Sequence, residues 1–170
     1  KLIAKGASML WSQKSVNDGY NSGSAVREDS PKARMARTMD EYVTNMPNVP
    51  VLVLACLVRP REPNPEEGAS VYPACQNLLL AARALGYGGV LTGFHGFVEK
   101  ELRELLEIPQ GTAISATITL GKPAGSHGPV RRAPMNELIY GDTWGEGASW
   151  AIDPPDTQHT ERYIEKKKEK

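Results

Sequence analysis

The feature that most constrains this chain is the segment 68–96, GASVYPACQNLLLAARALGYGGVLTGFHG. It places a helix that is apolar on almost every side directly before a glycine-rich run. Gly68 and Ser70 are residue types that begin helices, and Gly86 suits the left-handed position just past a helix end. Because a helix that is apolar nearly all round is normally buried, we expect the rest of the chain to pack around it.

Three further helices are predicted from apolar residues at helical spacing. The first covers 2–11, and we expect the polar segment 12–29 after it to form a long exposed loop. The second begins at Ser30-Pro31 and carries an apolar stripe, which favours core packing over a flexible binding face. That stripe consists of Met35, Met39, Tyr42, Val43 and Met46. The third helix covers 98–107, with Val98, Leu102, Leu105 and Leu106 expected to face inward.

Three segments have the patterns of strands. The run 49–58, VPVLVLACLV, is apolar and rich in valine, which favours a strand buried on both faces. The segment 88–93 is short and rich in glycine, so it is predicted to form a short strand or an extended turn. Residues 114–120 alternate apolar with hydroxyl side chains, which indicates a strand with one apolar face.

Composition narrows the class of protein. The 170 residues suffice for one sizeable core, and we divide them into one domain over 1–145 and a tail over 146–170. Twenty basic and twenty acidic residues balance, which argues against a nucleic-acid partner. No apolar run is long enough to cross a bilayer, so no membrane partner is expected. Cys56 and Cys75 lie in apolar segments and are interpreted as reduced core residues of a cytoplasmic protein.

Few residues are candidates for chemistry. No G-x-S-x-G is present, and the glycine run GYGGVLTG follows a helix, whereas a dinucleotide-binding turn lies between a strand and a helix. The three histidines are scattered and lack the spacing of metal ligands, so no metal site and no catalytic residue is predicted. His95 stays of interest because it lies inside the glycine-rich turn. The pair Arg131-Arg132 offers fork-shaped donors suited to a phosphate, although the pair on its own is better explained by a surface ion pair.

Several pieces in order resemble the FMN-dependent nitroreductase family. They are YPACQNLLLAARALGYGGVLTGFHGF, LLEIPQG, ITLGKPAG, RRAP and Trp144-Gly145, together with the upstream strand VPVLVLACLV. Their order and spacing match over roughly the second half of the chain. Members of that family also have an upstream segment with an Arg-Ser-x-Arg motif and a Pro-Ser-x-x-Asn loop. Neither motif occurs in the 170 residues, so either the sequence is a piece of a longer protein or part of the flavin site has been lost. In the second case we expect weaker binding of FMN.

The resemblance implies an α+β fold of three layers, with a mixed and mostly antiparallel sheet. It also implies a homodimer that binds two FMN molecules at the subunit interface, with the apolar central helix at the dimer core. Carried over by position, the cofactor-binding residues would be Ser70, Leu91, Thr92, Gly93, Arg131 and Arg132. Phe94 and His95 would lie near the rim of the substrate pocket.

The function implied by the resemblance is electron transfer from NAD(P)H through FMN to a small acceptor, such as a nitroaromatic compound or a quinone, in a ping-pong mechanism. A sequence without a catalytic dyad is consistent with chemistry done by the flavin. The alternative is a relative that binds flavin weakly or not at all and acts as a binding or sequestering protein.

Overall fold

A computed structural model describes residues 1–59, 65–125 and 132–159. The chain divides into two compact units, Lys1–Pro123 and Ala124–Lys170, which are described separately below. The division into a domain over 1–145 and a tail over 146–170 stays a prediction. The end of that tail, residues 160–170, lies outside the described residues.

The first helix is longer than the sequence indicated. Helix α1 covers Leu2–Asn17, so the segment 12–17 is helical and the expected loop begins later. Trp11 is buried on this helix, and its Nε1 donates a hydrogen bond of 2.6 Å to Asp40 Oδ1. The polar residues after Trp11 fit an exposed helix face, and Lys14 forms an ion pair of 2.7 Å with Asp18 one turn further on. A short 3-10 helix, Gly23–Val26, lies in the remaining loop.

The second helix begins where the sequence predicted. Helix α2 covers Pro31–Asn45, and the Ser30 hydroxyl caps it by accepting a hydrogen bond of 3.0 Å from the Ala33 amide. Most of the methionine-rich stripe packs in the core, which confirms the core interpretation for that part. The residues that do so are Met39, Tyr42, Val43 and Met46. Met35 is the exception, because half of its surface stays exposed.

The three predicted strands form one antiparallel sheet in the order β1-β3-β2. Strand β1 covers Val51–Val58, β2 covers Gly88–Thr92 and β3 covers Thr112–Gly121. The expectation that β1 is buried on both faces is wrong for this chain by itself, since β1 lies at an edge of the sheet. Val51, Leu52 and Val58 are exposed, and it is the central strand β3 that is buried on both faces.

The central helix α3 covers Gly68–Ala84. It ends as predicted, with Gly86 at φ +81°, and the Tyr87 amide donates back to the Ala82 carbonyl at 2.8 Å. The prediction that this helix is buried on all sides is wrong for a single copy of the chain. Val71, Cys75 and Ala82 are buried, whereas the opposite side, which includes Leu80 and Leu85, is exposed.

Helix α4 covers Glu99–Leu106 and follows a 3-10 turn, Gly96–Val98. Val98 and Leu102 are buried as predicted, but Leu105 and Leu106 are exposed, so that part of the prediction is wrong. The reason is geometric. The helix is only eight residues long, and Glu107 takes a left-handed conformation at φ 52° that ends it. The last two leucines therefore lie beyond the part that packs on the core.

The core of the N-terminal unit consists of two apolar clusters, one on each face of the sheet. On one face, Ala116 and Ile118 of β3 pack against Val71 and Cys75 of α3. Thr117 and Thr119 point to the other face, because successive side chains of a strand alternate. There the helices α1, α2 and α4 enclose a second cluster around Phe94. This arrangement confirms the α+β composition, with layers of helices, sheet and helix.

The described part of the C-terminal unit is built from short elements. Helix α5 covers Met135–Leu138, and the Met135 amide donates to the Asp153 carboxylate, at 3.1 Å to the nearer oxygen. The Trp144 ring packs edge-on against Tyr140, with ring centroids 5.0 Å apart, yet 88% of Trp144 stays exposed.

Both cysteines are free thiols. Cys75 is buried as predicted, but Cys56 is exposed because it lies on the edge strand β1, so its assignment to the core is wrong. Among the described residues, no helix is both long and apolar enough to cross a membrane.

Candidate functional site

The glycine-rich run forms strand β2 and the turn after it. Within the described part of the chain, β2 has a neighbouring strand on one side only. An edge strand presents alternate backbone N–H and C=O groups outward, where a ligand can bind them. Leu91 is 41% exposed, and a Cβ added to Gly93 would meet no atom within 4 Å. The backbone at Leu91–Gly93 is therefore accessible from outside the unit.

The glycines of this run serve different purposes. A Cβ on Gly89 would lie 2.6 Å from Leu120 Cδ2, 2.7 Å from Leu79 Cδ2 and 2.9 Å from the Thr119 carbonyl oxygen. Gly89 is therefore required for packing within the unit. Gly93 keeps the open space that a flat ligand would need.

Ser70 lies in the first turn of α3 and is exposed. It lines a cleft of about 230 Å³ between α3 and β1, together with apolar residues of both elements. The residues of β1 in this cleft are Val53, Ala55 and Cys56.

The two residues predicted at the substrate rim are buried. Phe94 is 3% exposed and packs against Tyr42, with ring centroids 5.9 Å apart. His95 is 9% exposed, and its Nδ1 lies 3.1 Å from the Thr117 hydroxyl oxygen, within a hydrogen bond. Their burial weighs against direct contact between these side chains and a substrate, and the assignment stays a prediction.

Burial also changes the acid–base behaviour of His95. The loss of hydration lowers the pKa of the imidazole below its usual value of 6.5. The negative charge of Glu99 and a hydrogen bond with the Ile114 backbone act in the opposite direction, but more weakly. His95 is therefore neutral at pH 7, which suits a residue that forms hydrogen bonds in a core.

Thr117 is the residue of this region that the sequence did not indicate. It is fully buried, its hydroxyl is hydrogen-bonded to His95, and its carbonyl accepts a hydrogen bond of 3.1 Å from the Thr92 hydroxyl. Two residues further along β3, the Thr119 hydroxyl is 2.7 Å from the Tyr42 hydroxyl. The alternating pattern of β3 marked these threonines as a polar face. It held no signal that helices would cover that face.

The arginine pair lies in the C-terminal unit, apart in sequence from the other candidates. Arg132 is exposed, and its amide donates to the Gln158 carbonyl at 3.1 Å. Arg131 lies outside the described residues. The predicted phosphate contact of both arginines stays a prediction.

The described residues fit a flat, hydrogen-bonding ring of the kind that FMN contains. The fit of such a ring is tested by the space beside Gly93, which is empty and lies next to the outer edge of β2. Backbone donors and acceptors on such an edge are the right chemistry for the polar rim of a flavin. No group of three or more metal-ligating side chains occurs among residues 1–59, 65–125 and 132–159.

Comparison with known proteins agrees with these features. The family model described as "Nitroreductase family" matches residues 10–122. A protein of Archaeoglobus fulgidus, named "Putative NADH dehydrogenase/NAD(P)H nitroreductase", is 46% identical over 52 residues. That match covers 29% of this chain and 30% of the length of the relative.

Proposed function

Because this chain belongs to the nitroreductase family, we propose that it is an FMN-dependent oxidoreductase that passes electrons from NAD(P)H to a small acceptor. The family match supports an oxidoreductase. The observation that supports the flavin is the accessible backbone of Leu91–Gly93 on the edge of the sheet. Nitroaromatic compounds and quinones are the proposed acceptors.

The chain's own residues would bind and orient the cofactor. In this proposal, the backbone of Leu91, Thr92 and Gly93 borders the isoalloxazine ring, and Ser70 contributes a hydroxyl from the first turn of α3. Arg132, with Arg131 beside it, would bind the phosphate, since a guanidinium can donate two parallel hydrogen bonds to phosphate oxygens.

Bound FMN would supply the redox chemistry, accepting a hydride from NAD(P)H and then passing electrons to the acceptor in a ping-pong cycle. The protein needs no nucleophile for such a reaction. Its part is to hold the flat ring, exclude water and donate hydrogen bonds from fixed positions.

A homodimer is part of the same proposal. The outer side of α3 is apolar and exposed, and it borders a cleft of about 680 Å³. The cleft residues that carry this argument are Leu78, Ala81, Leu85, Tyr87 and Leu120. A second copy of the chain would cover this apolar surface and explain why the helix is apolar all round. A cytoplasmic location also belongs to this proposal.

The second candidate is a relative that binds flavin weakly and serves as a binding protein. The observation that favours it is the exposure of Arg132. A family member without a well-formed phosphate site would bind FMN poorly, since a charged hydrogen bond contributes roughly 1.5–3 kcal/mol.

The visible absorption spectrum of the full-length protein separates the two candidates. We expect a yellow preparation whose flavin absorption bleaches when NADH or NADPH is added under nitrogen. The variant Arg132→Ala should weaken FMN binding about tenfold or more, given the strength of a charged hydrogen bond. Arg27→Ala, which removes another exposed arginine, is the matched control and should bind FMN normally. A colourless protein that takes up no added FMN would favour the binding protein.

A further inference from the structure

The turn after β2 is attached to the central strand on both sides of Gly93. Before the turn, the Thr92 hydroxyl donates to the Thr117 carbonyl at 3.1 Å. After it, His95 Nδ1 is hydrogen-bonded to the Thr117 hydroxyl at 3.1 Å. One residue of β3 therefore holds both flanks of the Gly93–Phe94 segment.

The inner side of the same turn is fixed by packing. Phe94 and Val98 are buried in the core, and the Gly96 amide donates to the Gly93 carbonyl at 3.1 Å to close the turn. Helix α1 approaches so closely at Gly6 that an added Cβ would lie 2.0 Å from the Phe94 carbonyl oxygen. The outer side of the turn, at Gly93 and Gly96, faces open space.

We propose that His95 and Thr117 are positioning residues, which hold the Leu91–Gly93 backbone in the geometry that the flavin ring requires. This inference rests on the proposed function, and it assigns to His95 a role different from contact with a substrate. Backbone groups that bind a rigid ring must be placed within about 0.5 Å, and that placement depends on supporting residues whose own positions are fixed. The buried imidazole is fixed in this way by its hydrogen bond with Thr117 of β3.

A matched pair on the same face of the sheet provides the control. The Tyr42 and Thr119 hydroxyls share a hydrogen bond of 2.7 Å between α2 and β3. Thr117 and Thr119 are both at most 5% exposed and lie two positions apart on one strand. The Tyr42–Thr119 bond does not involve the turn. Its loss should therefore reduce stability without releasing Gly93.

The first measurement is amide hydrogen exchange in the full-length protein without flavin. Thr117→Val removes the hydroxyl but keeps the shape of the side chain and the carbonyl that binds Thr92. We expect faster exchange at the Gly96 amide in Thr117→Val, because the turn that it closes is released. Tyr42→Phe keeps the ring against Phe94. Once its effect on global stability is subtracted, it should leave the exchange rate at the Gly96 amide unchanged. Equal changes in the two variants would overturn the inference.

The second measurement is FMN affinity, from the quenching of flavin fluorescence. Thr117→Val should weaken binding by about fivefold to tenfold, as expected for one buried hydrogen bond. Thr117→Ser, which keeps the hydroxyl, should restore affinity to within about twofold on the same scale. Tyr42→Phe should bind FMN like the wild type.

The outcomes separate this inference from the proposed function. Wild-type protein that binds no FMN would overturn both. Wild-type protein that binds FMN, with the same affinity in Thr117→Val, would overturn the positioning role alone and leave the oxidoreductase standing. A loss of affinity in Thr117→Val that Thr117→Ser does not rescue would also count against it, because the hydroxyl would not be the cause.

Discussion

At the residue scale, the polar groups on the covered face of β3 account for most of the order around the candidate site. Thr117 and Thr119 are at most 5% exposed, yet each has its hydroxyl paired with a residue from another element. A buried polar group without a partner costs roughly 1–3 kcal/mol. The pairing of Thr119 with Tyr42 therefore fixes the position of α2 against the sheet, and the pairing of Thr117 with His95 fixes that of the turn after β2.

The buried histidine predicts how stability depends on pH. Well above pH 6.5 His95 is neutral in both the folded and the unfolded chain, so it has no effect on the pH dependence there. As the pH falls below 6.5, the unfolded chain takes up the proton first, because burial lowers the pKa of His95 in the fold. The free energy of unfolding should therefore decrease below pH 6.5 and level off below the folded pKa.

Urea unfolding between pH 8 and pH 5 measures this effect. His95→Gln should remove the His95 contribution to the slope. Tyr42→Phe, which loses a hydrogen bond on the same face but keeps the histidine, should retain it. An unchanged slope in His95→Gln would show that His95 is not the titrating group.

At the element scale, the contact of α1 with the turn after β2 couples the first helix to the candidate site. Gly6 lies at this contact, next to Val98 and the Phe94 carbonyl. Replacing Gly6 with alanine has two opposing effects. Alanine favours a helix over glycine by about 0.8–1.0 kcal/mol. Forcing an extra atom into a packed core costs about 1–3 kcal/mol. A contact of 2.0 Å with a backbone atom cannot be relieved by turning a side chain, so the clash should prevail.

Gly6→Ala is accordingly expected to lower the free energy of unfolding by up to about 2 kcal/mol net, after the gain in helix propensity is subtracted. Thermal or urea denaturation would show it. Ser8→Ala, on the exposed side of the same helix, is the control and should be neutral or slightly stabilising. If Gly6→Ala and Ser8→Ala both increase stability, the close contact between α1 and the turn after β2 is contradicted.

At the scale of the whole molecule, the outer surface of α3 carries the proposal of a homodimer. Leu80 is 57% exposed on the helix that the sequence indicated as buried, and Leu85, directly after that helix, is 75% exposed. Apolar groups contribute about 25 cal/mol per Å² when they are removed from water, so a surface of this kind is stabilised by a partner.

Leu80→Lys should convert a dimer of the full-length protein into a monomer, because it would place a charge in an apolar interface. Sedimentation or light scattering would detect the change in mass. Met35→Lys is the matched control, since Met35 is similarly exposed at 50% but lies on α2, on the other face of the sheet. If the two variants have the same mass as the wild type and the wild type is a monomer, α3 has another role.

The sequence by itself determined the identity of most elements of the N-terminal unit and the family. Caps and periodicity are local, so Ser30 at the start of α2 and Gly86 after α3 could be located without a structure. Only the tertiary structure decided which glycine serves packing and which stays open, and that Thr117 joins Thr92 to His95. The physical reason is that close approach and hydrogen bonding depend on residues far apart in the chain. Alternation along β3 shows that a face is polar, but only the helices packed against it decide that the face is buried.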